Sequence, residues 1–288
     1  MAELNLYRDL VKFSQKDKTK LGQTGMAVAK TYKDAQRFVL PRNGLILDNG
    51  GDALEAELRL PFPTIILEFE SDLIKEPNFD ISEQLDKMSF LSDVYDRHIV
   101  FAREIEGDKL EIQLSSRFAH YQGMHGQWNT APFKMIFPWK LVDKGVDAQI
   151  EPTHVAALEW SKLIGGNDDA MRGIGALFLR PAFKAVTELL EALTCSNVKA
   201  ELKPNKKRLQ GRRPGELPYD DYHELVVEVR GVKSGSESTE SAEQGPKRRE
   251  HLRRGHIRRY KSGLKIWVQA HVVNAGAAGR IDKHYRVK

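Results

Sequence analysis

Apolar positions in the first forty residues recur with the 3.6-residue period of an amphipathic helix. One helix is predicted around Leu4, Leu10 and Ser14. A second is predicted from Thr24, a candidate cap, through Val39 to the stop signal at Pro41. The chain is therefore expected to begin with a helical pair.

Between residues 60 and 140, apolar residues recur at every second position, which predicts strands. Residues 64–70 form a β-branched and aromatic run after two prolines, and residues 133–139 form another candidate strand. Residues 98–105 and 109–114 flank Glu-Gly-Asp, a typical hairpin turn. This part of the chain predicts a mainly antiparallel sheet.

Helical spacing returns in residues 152–195. Pro152 and Thr153 are expected to open one helix, and a second is predicted from about Asp169 to Leu193. The second helix is apolar nearly all round, which predicts a place in the core. Pro181 lacks a backbone donor and is expected to kink or split it.

Composition shifts after residue 202. Residues 225–229 predict a strand, whereas residues 233–245 contain almost no apolar side chain and predict a flexible linker. The expected fold class is α+β, with a helical N-terminus, a central antiparallel sheet, core helices and a basic β-rich C-terminal module. The expected domains are a body over residues 1–202 and this module over residues 203–288.

Charge divides along the same boundary. The net charge of the chain is +5, but residues 203–288 carry 21 Lys and Arg against 10 Asp and Glu, a balance of +11. Residues 1–202 carry 24 basic against 30 acidic residues, a balance of −6. This asymmetry indicates a polyanionic partner for the C-terminal module.

Membrane and secretory signals are missing from the sequence. The longest apolar runs fall far short of the roughly 20 residues that a membrane span needs. The first ten residues include charged side chains where a signal peptide has an apolar stretch. Cys195 is the single cysteine, so no intramolecular disulfide can form. These features predict a soluble cytoplasmic protein without a membrane partner.

Residues 246–274 hold nine Lys and Arg against one acid, Glu250, with aromatic side chains interleaved. Lys and Arg gain affinity for phosphate by counterion release, and Tyr and Trp stack on unpaired bases. This composition predicts binding to single-stranded nucleic acid, most of all RNA. The candidate contacts are Arg253, Arg254, His256, Arg258, Arg259, Tyr260, Lys265, Trp267 and His271.

A turn at residues 260–263 would make this segment a hairpin with one apolar face on the core and one cationic face in solvent. Trp267 then has two possible roles, as an exposed stacking side chain or as a buried anchor of the module. Two other interpretations of the segment stay open, an acidic protein partner and a solvated edge strand protected by charge.

The same segment resembles a known family. The blocks His251–Leu–Arg–Arg–Gly–His, Lys–Ile–Trp–Val–Gln from residue 265 and Val–Val–Asn–Ala–Gly from residue 272 are similar to the C-terminal block of a type V-A anti-CRISPR family carried by phages and plasmids. Residues 47–50 give a weaker match. The sequence departs from the family at Ile257, where Trp is usual, and at Ala270, where Pro is common.

The resemblance implies a regulator that recognises the nascent N-terminal peptide of a type V effector nuclease during translation, after which the effector's mRNA is degraded. The implied partners are a peptide of a host defence protein and RNA or a ribosome-associated nascent chain.

Catalytic chemistry has only weak candidates in this sequence. His98, His120 and His125 lie near Asp96 and Glu104, but their spacing matches no metal site, and no catalytic residue, metal ligand or cofactor is predicted. An RNA-cleaving nuclease or toxin-like RNA-processing enzyme is the alternative function. A non-catalytic DNA-binding regulator is a third, although no helix-turn-helix is evident. Residues 218–223 combine acidic and aromatic side chains and favour a capped turn over a binding lip.

Residues 233–245 are predicted to be the first segment cleaved by a glutamyl protease, because three of the thirteen residues are Glu and the composition disfavours packing. Limited proteolysis with mass mapping of the fragments checks this. Protection of the segment in the free protein would contradict the predicted linker.

Overall fold

The fold is given by a computed structural model, which describes residues 4–46, 59–71, 95–119, 125–139, 148–153, 168–206, 219–227, 250–253, 256–268, 271–273 and 280–281. It is an α+β fold, so the predicted class is confirmed. The helices are α1 (Leu6–Lys16), α2 (Lys20–Thr31) and α3 (Asp168–Leu193). The strands are β1 (Gln36–Val39), β2 (Thr64–Glu70), β3 (Tyr95–Ile105), β4 (Lys109–Phe118), β5 (Trp128–Thr130), β6 (Phe133–Pro138), β7 (Gln149–Pro152), β8 (Val198–Lys203), β9 (Tyr222–Val227), β10 (Glu250–Arg253), β11 (His256–Arg259), β12 (Lys265–Val268), β13 (His271–Val273) and β14 (Arg280–Ile281).

The chain divides into two compact units. The sheet unit comprises residues 1–46, 53–191 and 201–224, and the ribbon unit comprises residues 47–52, 192–200 and 225–288. The predicted boundary at residue 202 stays a prediction. The predicted linker over residues 233–245 lies outside the described residues.

Among the described residues, nine strands form the main sheet, in the order β7-β6-β4-β3-β2-β1-β9-β8, with β5 paired to β4. Strands β2, β3, β4, β6 and β7 pair antiparallel, whereas β1 pairs parallel with both β2 and β9. The predicted hairpin is β3–β4. Its turn holds Gly107 at φ +80° and Asp108 at φ +57°, a conformation that Gly and Asp tolerate better than other residues.

The two faces of this sheet are covered by different helices. Helices α1 and α2 bury Leu6, Leu10, Val28 and Tyr32 against Ile66, Ile99, Phe101 and Trp128. Side chains alternate along each strand, so Phe137 lies on the opposite face, where its ring meets that of Phe183 on α3 edge-on at 5.1 Å. No helix of the described residues is long and apolar enough to cross a membrane.

The helix predicted from Thr24 to Val39 has the wrong bounds at both ends. It ends at Thr31, and residues 36–39 form strand β1, because full burial of Phe38 beside β2 outweighs the helical spacing. Thr24 is not a cap, since it lies inside α2, which begins at Lys20.

Two predictions concern proline residues. Pro152 is the last residue of β7, and the helix predicted to follow Pro152 and Thr153 lies outside the described residues. Pro181 lies inside α3, which continues through this residue, so the helix is not split there.

A buried ion pair joins α1 to the sheet. Glu68 on β2 has no exposed side-chain surface, and Arg37 on β1 donates from Nη2 to Glu68 Oε1 at 2.7 Å. The same carboxylate oxygen accepts the backbone N–H of Tyr7 at 2.8 Å, in the first turn of α1. The N-cap residue, Asn5, makes no side-chain capping bond. Glu68 therefore supplies the negative charge that a helix N-terminus favours.

Substitution of Glu68 by Gln is expected to lower the free energy of unfolding by about 3–5 kcal/mol, because it removes the buried counter-charge of Arg37 and leaves only the partly exposed carboxylate of Asp220. Urea unfolding measures this. Asp220→Asn is the matched control, because Asp220 also pairs with Arg37 but keeps 41% of its side chain exposed. The control should cost at most about 1 kcal/mol. Equal losses of stability in the two variants would contradict the special role of Glu68.

Candidate nucleic-acid interface

Strands β11 and β12 form a hairpin whose turn follows from local chemistry. Tyr260 N–H donates to the Leu264 carbonyl at 2.9 Å, and Gly263 N–H donates to the Tyr260 carbonyl at 2.9 Å. Gly263 adopts φ +81°, which closes the turn without the strain that a Cβ would bring. The predicted turn at residues 260–263 is confirmed.

The register distributes cations over both faces of this hairpin. Ile257 lies opposite Trp267 and Arg259 opposite Lys265, so these four side chains share one face. Arg258 lies opposite Ile266 on the other face. The expected division into one apolar and one cationic face is therefore wrong, because each face of the hairpin carries both cationic and apolar residues.

Exposure increases toward the turn. Arg258, Arg259 and Lys261 are exposed, whereas Lys265 and Trp267 are half-buried. Tyr260 keeps 42% of its surface exposed. The tip thus presents exposed cations beside an accessible aromatic ring, which suits phosphate and base contacts together.

Strands β10 and β13 continue the same pairing. Arg253 lies opposite His271, and His256 lies opposite Val268, with two residues on each strand between these pairs. The register is therefore the same in the β10/β13 pair and in the β11/β12 pair. The four strands β10, β11, β12 and β13 are together named the basic ribbon. Strand β14 adds to its β10 edge. Arg254 lies outside the described residues.

Asn197 holds β12 from the turn that follows α3. Its Nδ2 donates to the Trp267 carbonyl at 2.9 Å, and its Oδ1 accepts the Trp267 N–H at 2.8 Å. Beside it, the backbone N–H of Ser196 donates to the Lys265 carbonyl at 3.0 Å. Asn197 thus replaces a strand partner, a role that sequence reasoning missed because the two residues are 70 positions apart.

Trp267 falls between its two predicted roles. Its side chain is half-buried, and Asn197 binds both its backbone N–H and its backbone carbonyl. The Trp267 ring is therefore less accessible than the exposed ring of Tyr260.

Two of the histidines that are catalytic candidates, His98 and His125, contact groups within the protein. His98 bridges Ser71 Oγ at 2.8 Å and Ser116 Oγ at 2.9 Å, and burial lowers its pKa to about 4. Because Ser71 donates its proton to the Tyr95 carbonyl, His98 donates from Nε2 and accepts at Nδ1. His125 Nδ1 contacts the Ala119 carbonyl, and His120 lies outside the described residues.

The candidate carboxylates are engaged as well. Asp96 is bound by Arg117, whose hydrogen bonds help to lower the pKa of Asp96 despite partial burial. Glu104 Oε1 accepts the Leu60 N–H at 3.2 Å. Among the described residues, no group of three His, Cys, Asp or Glu could hold a metal ion.

The acidic and aromatic segment leads into β9, and its last two residues, Tyr222 and His223, belong to that strand. Asp221 Oδ1 accepts the Asn205 N–H at 3.1 Å, and Asp220 pairs with Arg37 at 3.3 Å. The Arg8 guanidinium lies 3.9 Å from the centre of the Tyr219 ring. These contacts engage the segment within the protein, and the turn favoured by the sequence stays a prediction.

A family model described as AcrVA2-like, the anti-CRISPR type V subtype A2 family, matches residues 50–275. This match covers most of the chain. The chain belongs to this anti-CRISPR family. The resemblance inferred from the ribbon sequence is thus confirmed at the level of the family. Neither the curated proteins nor the solved structures gave a match.

The family match places the basic ribbon within an anti-CRISPR protein of the kind associated with phages and mobile elements. Strands β10 to β13 and Asn197 all lie inside the matched residues. Helices α1 and α2 and strand β1 precede them. The part of the chain that the family shares therefore includes both the hairpin and its backbone clamp.

Asn197→Ala is expected to speed hydrogen exchange at the Trp267 amide, because the substitution removes both bonds to that backbone. Losing such a partner costs about 1–3 kcal/mol locally. Ser196→Ala is the matched control, because Ser196 uses its backbone N–H toward β12 and exchange should stay unchanged. Wild-type exchange at Trp267 in the Asn197 variant would contradict the clamp.

Proposed function

We propose that this anti-CRISPR protein lowers production of a type V effector nuclease by recognising its nascent N-terminal peptide, while the basic ribbon contacts RNA of the translating complex. The membership in the anti-CRISPR type V subtype A2 family carries this proposal. The family match supports the target system, and the ribbon supports the RNA contact.

The charge of the ribbon favours RNA over an uncharged partner. Arg258, Arg259 and Lys261 cluster at one exposed tip, and each phosphate they neutralise would release counterions. This contribution does not depend on base sequence. It would let one protein stay near any translated message while the peptide supplies the specificity.

The opposite charge of the remaining chain supports a division of tasks. Residues 1–202 carry more acidic than basic residues, so they would be repelled by RNA and are available for a peptide. We therefore assign RNA contact to the ribbon and peptide recognition to the acidic body. In this division the effector's mRNA is degraded because the peptide that it encodes has been bound.

Replacing Arg258, Arg259 and Lys261 by Ala is expected to weaken RNA binding and to reduce its salt dependence. The slope of log K against log salt should fall by about 0.7 for each phosphate that the protein no longer neutralises. Fluorescence anisotropy with single-stranded RNA at several salt concentrations measures both quantities. In cells that express a type V effector, the same variant should restore effector mRNA.

The matched control replaces Lys16, Lys30 and Lys33, three exposed cations of α1, α2 and the turn after α2, by Ala. This removes the same charge elsewhere and should leave affinity, slope and effector mRNA nearly unchanged. An equal effect of the two triple variants would show that only net charge matters. Full activity of the ribbon variant in cells would contradict its RNA role.

A further inference from the structure

We propose that Tyr260 and Leu264 form a stacking platform for one unpaired RNA base at the tip of the basic ribbon. This inference rests on the proposed function, because it names the class of RNA that the ribbon takes. It also assigns the stacking role to Tyr260 and not to Trp267.

The turn places the two side chains together. The bond from Tyr260 N–H to the Leu264 carbonyl makes these residues the pair that closes the hairpin. Paired residues of antiparallel strands project to the same side. Tyr260 is 42% exposed and Leu264 is 44% exposed. Two of the four large apolar side chains that are exposed in the described part of the chain therefore lie side by side here.

Cations lie beside this apolar pair and on the other face of the hairpin. Arg258 lies two positions before Tyr260 and projects to the same side, while Lys261 follows at the tip. Arg259 and Lys265 lie opposite each other on the other face. An apolar protein surface would offer no anionic group to these charges. An unpaired nucleotide supplies a flat base for the platform and phosphates on both sides for the cations.

Trp267 fits this role less well than Tyr260. It is half-buried on the face away from the Tyr260 pair, and Asn197 binds both of its backbone polar groups. A half-buried ring on that face is less accessible to a base than the exposed ring of Tyr260. Tyr260 has an exposed ring that can meet a base without disturbing the strand.

The test compares a fluorescein-labelled oligouridine with the same oligonucleotide lacking its central bases, using the full chain. Tyr260→Ala should raise the Kd for the intact oligonucleotide roughly 10- to 100-fold, because stacking on one base is removed. The salt slope should stay unchanged, since no charge is removed. The same substitution should have little effect on the abasic oligonucleotide, which already lacks the stacking partner.

Two further variants check the geometry. Tyr260→Phe keeps the ring and should bind as the wild type does, whereas Leu264→Ala should weaken binding of the intact oligonucleotide only. A duplex of equal length should bind more weakly than the single strand, because its bases are not accessible. Thermal unfolding of each variant should match the wild type, since both residues are exposed.

Failure of this inference is distinguishable from failure of the proposed function. The stacking platform would be overturned if Tyr260→Ala lowered the affinity for intact and abasic RNA equally, or did not lower the affinity for intact RNA. It would also be overturned if the wild type bound the duplex more tightly than the single strand. The proposed function would stand in those cases if removal of Arg258 and Arg259 still lowered affinity and slope. Wild-type protein that bound neither oligonucleotide would overturn both.

Discussion

The buried pair of Glu68 and Arg37 is the interaction on which the architecture of the sheet unit depends. One carboxylate neutralises a buried guanidinium and also accepts an N–H from the first turn of α1. Arg37 reaches onward to Asp220, two residues before β9 begins. A single buried charge pair thus fixes a helix, the parallel strand β1 and the approach to the next parallel strand.

The contacts of Arg37 help to hold β1, which pairs parallel with β2 and β9 beside the antiparallel strands. Strand β1 has only four residues, and Phe38 packs its ring against that of His223 on β9 at 4.9 Å. Burial lowers the pKa of His223, which favours a neutral ring in this apolar contact. Polar anchoring through Arg37 and aromatic packing through Phe38 act at adjacent positions of the same short strand.

The basic ribbon follows a different principle, because its shape comes mainly from local sequence. Glycine at position 263 and alternation along two short strands are enough to define the hairpin. Its attachment to Asn197 uses backbone groups of Trp267 and so does not restrict the side chains of β12. A binding surface of this kind can change its exposed residues while the supporting contacts are kept.

Sequence reasoning succeeded where structure is set by neighbours along the chain. The turn around Gly107, the turn at Gly263 and the long apolar helix α3 were all predicted, as was the family of the ribbon. It failed for residues 36–39, where burial of Phe38 reversed a helical pattern. It also could not find the Asn197 clamp or the partners of Glu68, because those contacts join residues that are distant in sequence.

The most direct measurement of the central claim, that the nascent peptide is the recognised feature, compares two recoded effector messages in cells that express this protein. One message carries synonymous codons throughout its first segment, and the other carries a compensated frameshift that alters the peptide while changing few nucleotides. The account predicts that the synonymous message is still depleted and that the frameshifted message is spared. Depletion of the frameshifted message, or survival of the synonymous one, would contradict recognition of the peptide.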